Sequence, residues 1–306
     1  MPPKRIVYKA RSNRGRAALN RLNSFLDANN PRLARILVTI WKDQGDAITY
    51  KELREAIMNG YMSEATFQAW QQDYIKFFNE SLSPVLSSAC SIGSKEVAAA
   101  LLSGADVYAP VASAIESWVQ SHGAELVTRM TADGKEAISA LIRYTTEGNM
   151  TVDELARAIR PTIGLTNPQA QANIRYYANI KAQLLENNPN MKDATAAKRA
   201  REASIRYAAR QHRERAQMIA ETELAWAYNK GADNAVKQAV ADGLLPKMKA
   251  VWSTAADELV CATCGAMDGV AIDLGSDFYL PSGAVKTVPP AHPRCRCAVA
   301  YEEADD

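Results

Sequence analysis

Apolar residues recur at three- and four-residue intervals over most of positions 17–243, and turn signals cut that helical pattern into segments. Residues 16–41 carry one amphipathic stretch, which Asn29-Asn30-Pro31 is expected to break because Pro cannot donate to the helical ladder. Thr49-x-x-Glu52 is a capping box with Ile48 and Leu53 set for a hydrophobic staple, and it starts a short helix ending near Asn59-Gly60. Ser63 caps the next helix, whose Phe67, Trp70, Tyr74, Phe77 and Phe78 fall on one stripe and predict core, not a platform for stacked bases. Gly93 and Gly104 read as turns. Helical pattern resumes through Trp118 and Leu126, and again from Lys135 to Thr145. Thr151-x-x-Glu154 between Met150 and Leu155, and Thr166-x-x-Gln169 with Pro168 in its first turn, are two further starts.

After a break at Asn187–Asn190 the pattern is continuous from Asp193 to Asp242. Ile205, Ala209, His212, Ala216, Ile219, Glu223 and Trp226 alternate there by four and three, a coiled-coil-like seam. His212 reads as packed rather than catalytic. Glu223 is a carboxylate on an apolar seam and needs a partner, such as an arginine of a neighbouring helix or subunit, so it reads as a polar specifier of helix packing. Beyond Gly243 the texture changes. Met248–Thr254, Val270–Leu274, Ala284–Val288 and Ala298–Tyr301 are short, β-prone and bounded by Gly or Pro, with Trp252 as the strand anchor.

Four of the five cysteines and one of the three histidines lie in that last segment. Cys261-x-x-Cys264 presents two sulfurs from one tight turn, which Gly265 eases. His292-x-x-Cys295 repeats the gap, and Cys295-x-Cys297 puts two sulfurs on one face of a strand. The spacing predicts a structural Zn²⁺ held by Cys261 and Cys264 plus two of His292, Cys295 and Cys297, and does not choose among the three. Arg294 and Arg296 partly offset the thiolate charge. Disulfides or free thiols are the alternatives, but Met1 to Arg16 is basic with no apolar core after it, and no apolar run approaches the ~18 residues of a membrane span. A cytosolic, reduced chain favours metal. Catalytic zinc would leave a position open to water and usually carries an H-x-E or H-E-x-x-H signature, which is absent here.

At 306 residues and 47% hydrophobic content the chain can bury a real core, and its net charge of +2 makes no nucleic-acid claim by itself. The distribution adds more. Met1–Arg35 holds nine basic residues against Asp27, Lys192–Arg215 holds eight against three acidic, and the chain ends in Glu302-Glu303-Ala304-Asp305-Asp306. Such blocks suit polyanions or acidic partner surfaces. The expected fold is mainly α-helical and elongated, with a small zinc-stapled α+β C-terminal domain. It divides into a flexible basic arm at 1–16, an N-terminal helical region at 17–130, a helical region with the long helix at 131–243, and a β-containing zinc-binding unit with an acidic tail at 244–306.

Ile219-Ala220-Glu221-Thr222-Glu223, the following Ala225, Ala227, Asn229 and Gly231, Trp252 with Asp257, Cys261-x-x-Cys264, Asp268-Gly269 and Pro289-Pro290-x-His292-Pro293-x-Cys295-Arg296-Cys297 occur in this order. This succession resembles the phage Mu F-like minor head proteins, also called phage head morphogenesis proteins, over roughly residues 135–301. Glu221 departs from that pattern, which has arginine there. The resemblance implies a minor structural protein of a tailed-phage head, associated with the portal protein and supporting head morphogenesis, genome packaging or DNA delivery. It implies residence in the virion head and, during assembly, in the host cytoplasm, with the major capsid or scaffolding protein as further candidate partners and no membrane. The basic arm, through Lys4, Arg5, Lys9, Arg11, Arg14 and Arg16, is the expected contact to phosphates of packaged double-stranded DNA. Glu223, Trp252, Asp257, Asp268 and Gly269 are expected to be structural. The competing reading is a zinc-supported nuclease or other DNA-processing protein. Its general base would have to be His292, which the metal can consume, or Asp268, which reads equally well as half of a turn. An appended toxin domain finds no room after the cluster. A groove-reading zinc protein would carry a helix beside the metal, where strand and loop are expected here, and Asp268, Asp273 and Asp277 oppose phosphate.

Overall fold

A computed structural model describes residues 13–102, 112–144, 150–255, 257–258 and 260–304. Lys4, Arg5, Lys9, Arg11, the turn at Gly104 and the last two acidic residues lie outside them.

The helices are α1 (Asn13–Ala47), α2 (Tyr50–Asn59), α3 (Glu64–Phe77), α4 (Ser83–Leu101), α5 (Ala112–Tyr144), α6 (Val152–Ile159), α7 (Asn167–Asn187) and α8 (Asp193–Ala241). A π-helical turn at Phe78–Leu82 joins α3 to α4. Then come β1 (Met248–Ser253), the short α9 (Ala262–Met267), β2 (Ala271–Asp273), β3 (Phe278–Tyr279), β4 (Val285–Lys286) and β5 (Ala298–Glu303). No helix of the described residues is long and apolar enough to cross a membrane. The molecule is mainly helical with a small C-terminal sheet region.

Start signals that depend on a few adjacent residues are realised as expected. Thr49 and Thr151 form reciprocal capping boxes with Glu52 and Glu154, Thr166 pairs with Gln169, Ser63 caps α3, and Gly60 ends α2 at φ 79°. The five aromatics from Phe67 to Phe78 are buried.

Three expectations change. Asn29-Asn30-Pro31 does not break α1, and Arg14 and Arg16 sit exposed on its first turn instead of in a free arm. A proline inside a helix costs about 3 kcal/mol, and the buried Leu22, Phe25 and Leu26 before it, with Leu33 and Leu37 after it, offset that cost. Gly93 is no turn; it lies within α4, where the backbone of α8 passes so closely that a Cβ would stand 2.1 Å from the Tyr228 carbonyl oxygen. Over its first half the seam on α8 is displaced by one residue, whereas Ala216 and Glu223 are buried as expected. Ile205 is exposed, whereas Ala196, Ala200, Ser204, Ala208, Gln211 and Arg215 are buried. Packing here selects small side chains over hydrophobic ones, because Ala and Ser let α7 approach closely. Asn173 of α7 then donates to the Ser204 carbonyl at 3.1 Å and accepts from the Ser204 hydroxyl.

Two compact units emerge, each discontinuous in sequence. One comprises residues 34–82 and 122–217. Its core joins Leu53 and Ile57 of α2, Phe67 and Trp70 of α3, Ile138 and Leu141 of α5, Leu155 and Ile159 of α6 and Ile174 of α7. The other comprises residues 1–33, 83–121 and 218–306 and holds the sheet, whose order is β2-β1-β5, all antiparallel, beside a β3-β4 pair. Trp252 pairs with Val299 across β1 and β5, and its ring meets Phe278 edge-on at 5.2 Å. The second half of α8, through Ala232, Ala235 and Val236, packs into the same core as Trp252, Cys264, Cys295 and Cys297.

Candidate metal centre

The chain leaves β1 at Ser253 and returns to it within a short excursion that carries the first two cysteines. Cys261 is the N-cap of α9, and its Sγ accepts the Cys264 N–H at 3.4 Å, so a six-residue helix stands beside the cluster where strand and loop were expected. Gly265 accordingly sits within that helix and not in a tight turn. Asp268 and Gly269 end it. The Asp268 carboxylate accepts from the Thr254 N–H at 2.8 Å and the Thr254 hydroxyl at 3.0 Å, while Gly269, at φ 77°, donates to the Trp252 carbonyl at 2.8 Å. That left-handed conformation favours glycine, and the turn brings Val270 back against β1.

The second arm enters β5. Cys295 and Cys297 are buried with Arg296 exposed between them, the alternation of an extended backbone, although the segment precedes the strand itself and Arg294 before it lies exposed in a turn. Arg296 forms a two-pronged contact with Asp257, 2.9 Å to each carboxylate oxygen, which ties the two arms at the surface. Two α8 side chains fix this arm from beneath. The buried Asn229 donates to the carbonyls of Pro289 and Cys297, both at 3.3 Å, and accepts the Val299 N–H at 3.2 Å. The Thr222 hydroxyl accepts the Arg294 N–H at 3.1 Å, holding that residue at φ 60°. Sequence reasoning gave neither α8 residue a role at the cluster; both stand in the same α8 segment as Glu223, and only the fold shows which side chains turn toward it. Glu223 itself is buried and engaged in an interaction of its own.

The donor atoms converge. His292 Nε2 lies 3.1 Å from Cys261 Sγ and 3.2 Å from Cys264 Sγ, and Cys264 Sγ lies 3.7 Å from Cys295 Sγ. The five residues form two triads able to hold a metal ion, Cys261/Cys264/His292 and Cys264/Cys295/Cys297, joined at Cys264. Tetrahedral coordination with metal–sulfur bonds of about 2.3 Å sets sulfurs about 3.8 Å apart, which the Cys264–Cys295 spacing matches. All five cysteines are free thiols.

Residues 140–300, more than half of the chain, match the model of a family described as phage Mu protein F like protein. The chain belongs to this family. No significant match exists among curated proteins or solved structures. In this phage Mu F-like protein the matched segment runs from the end of α5 into β5 and includes both Thr222 and Asn229 and all five cluster residues.

Electrostatics couple the groups of the Mu F-like cluster to one another. Hydrogen bonding to Cys295, with burial, pushes the Cys264 thiol up, while hydrogen bonds from Cys264 and Cys297 pull Cys295 down. Burial lowers the His292 pKa, but the Pro293 carbonyl, 2.8 Å from Nδ1, and the neighbouring sulfurs outweigh it and raise the value. A carbonyl on Nδ1 leaves Nε2 facing the sulfurs, the arrangement that second-sphere contacts give a ligating histidine. His212 packs within the unit of residues 34–82 and 122–217. Its Nε2 is 2.8 Å from the Ile163 carbonyl and its ring packs on Trp41 with centroids 5.7 Å apart.

Proposed function

We propose that this protein is a minor structural component of a tailed-phage head that works through its surfaces, with the Cys/His cluster holding a single structural Zn²⁺. The observation that carries the reading is the family match across 140–300, which includes every residue of the cluster. The donor set supports zinc. Thiolate and imidazole at tetrahedral spacing suit it, and three of the four cysteines are buried in an apolar core. Cys264 belongs to both triads, so it anchors the ion. Trp252, Asp257, Asp268 and Gly269 shape the turn and strand around it. Asp268, occupied by Thr254, is poorly placed as a general base, which favours the structural reading over the nuclease. Association with the portal, action in packaging or DNA delivery, and phosphate contacts by Lys4, Arg5, Lys9, Arg11, Arg14 and Arg16 are the finer parts of the proposal.

Quantitative mass spectrometry of purified particles tests it. A few to about a dozen copies in mature heads, retained with the portal on partial disassembly, are expected. Absence from particles would sink the head-protein reading and turn attention to an activity in the infected cell.

A further inference from the structure

The C-terminal half of α1, the end of α3 and the π-helical turn after it enclose a groove of about 470 Å³. It lies inside the unit of residues 34–82 and 122–217 and outside the family match at 140–300, so the function proposed above does not use it. Its volume falls within the ~300–1,000 Å³ of ordinary ligand sites. Ile36, Ile40 and Phe77 give it an apolar lining. Asp43, Asp73 and Glu80 line it too, and all three are exposed. Lys76 is the one cation among the lining residues, so two negative charges remain when it is set against one carboxylate. A second observation is independent of charge. Gln44 also lines the groove and is 2% exposed, and neither its amide oxygen nor its amide nitrogen has a hydrogen-bond partner in the protein. Folded proteins seldom leave a buried amide with both its donor and its acceptor unmet.

We propose that this groove binds a short extended segment of a partner protein that carries a lysine or arginine beside an apolar side chain. The carboxylates take the cation, and Ile36, Ile40 and Phe77 take the apolar side chain. A peptide bond of the segment meets both halves of the Gln44 amide at once, its N–H donating to Oε1 and its C=O accepting from Nε2. Side-chain rotamers commonly change on binding, so the amide need not stand open to solvent beforehand. The same features turn other ligands away. Nucleic acid would bring phosphate against the carboxylates, a like-charge contact. An alkyl polyamine would satisfy the carboxylates, but its ammonium groups only donate and would leave Gln44 Nε2 without an acceptor. The inference concerns the purified chain and a peptide alone and does not depend on where the protein resides.

The test reads an array of random octapeptides with the labelled full-length protein and then measures the best binders in solution. Bound sequences are expected to pair Lys or Arg with Leu, Ile or Phe. Asp43→Asn/Asp73→Asn/Glu80→Gln is expected to bind them about tenfold or more weakly, since it removes the charge and keeps the side-chain size. A control, Glu125→Gln/Glu186→Gln/Glu202→Gln, removes the same charge from exposed positions elsewhere in the unit and is expected to change binding far less. Gln44→Leu separates binding from packing. It removes an unmet amide, so melting is expected to hold or rise while peptide binding falls by about tenfold. Circular dichroism and melting check the fold of every variant. An array without a basic–apolar class would overturn the proposal. Equal losses in the two carboxylate variants would overturn it in favour of general charge, and a Gln44→Leu variant that binds as the native chain does would overturn it as well. Displacement of the peptide by an equal concentration of spermidine would make the groove a site for an alkyl cation instead.

Discussion

At Gly93 in α4 an added Cβ would lie 2.1 Å from the Tyr228 carbonyl oxygen, and at Gly231 in α8 it would lie 1.9 Å from that of Cys90. Both obstacles are backbone, so two helices would have to separate. Gly93→Ala should cost more than about 2 kcal/mol. Gly60→Ala, where the Cβ would meet nothing but φ is 79°, should cost about 1 kcal/mol. Denaturant melts of the two variants check the ranking. The sequence shows a glycine at each position and cannot say whether it serves conformation or close approach, which is why Gly93 reads as a turn until α8 is seen beside it. His212 makes a second prediction at this scale. Burial lowers its pKa to about 4, with the Arg215 charge adding to it and the Ile163 carbonyl opposing. The unfolded ring titrates near ~6.5, so between the two values the unfolded chain binds more protons. Stability must therefore fall as pH drops through that window, by roughly 3 kcal/mol, and level off below it. His212→Gln keeps a donor for Ile163 and removes the titration. The stability difference between native and variant chains, measured at pH 7 and pH 4, should shrink accordingly.

Elements whose beginnings depend on residues three apart were legible in the sequence, because a capping box is closed by its own members. Thr49→Ala, with an exposed cap and no other role, should cost about 1 kcal/mol and leave the fold intact, as thermal melting would report. Elements settled by what packs on them were not legible. Pro31 sits inside α1 because the leucines on either side hold the helix, and the α8 seam follows Ala196, Ala200, Ser204 and Ala208 because small residues admit α7. The same limit hid Asn229. Its amide joins Pro289, Cys297 and Val299, so Asn229→Leu would strand two carbonyls and one N–H in the core at about 1–3 kcal/mol each. That variant should also bind metal at least about tenfold more weakly, since second-sphere contacts orient the ligands. Competition against a chromophoric chelator measures it.

For the whole molecule, the candidate donor set Cys261, Cys264, His292, Cys295 and Cys297 was legible because Cys and His at these spacings have few other uses, while the order in which they meet depends on α9, β5 and α8 together. The unit containing the sheet keeps one continuous core, in which Trp252 and Phe278 stand beside Cys264, Cys295 and Cys297 and the α8 face. An ion at the cysteines would thus fasten two arms of chain to a helix that also belongs to the other unit. Folding and metal binding are then linked, and removing the ion should loosen the sheet-bearing unit before the helical one.

The most direct test of the account is metal content and melting measured on the same purified protein. The account predicts one equivalent of zinc per chain, its loss in Cys261→Ser/Cys264→Ser, and a first unfolding transition that a strong chelator moves down while leaving the second in place. Well under one equivalent, with melting indifferent to chelator and to the double substitution, would contradict it.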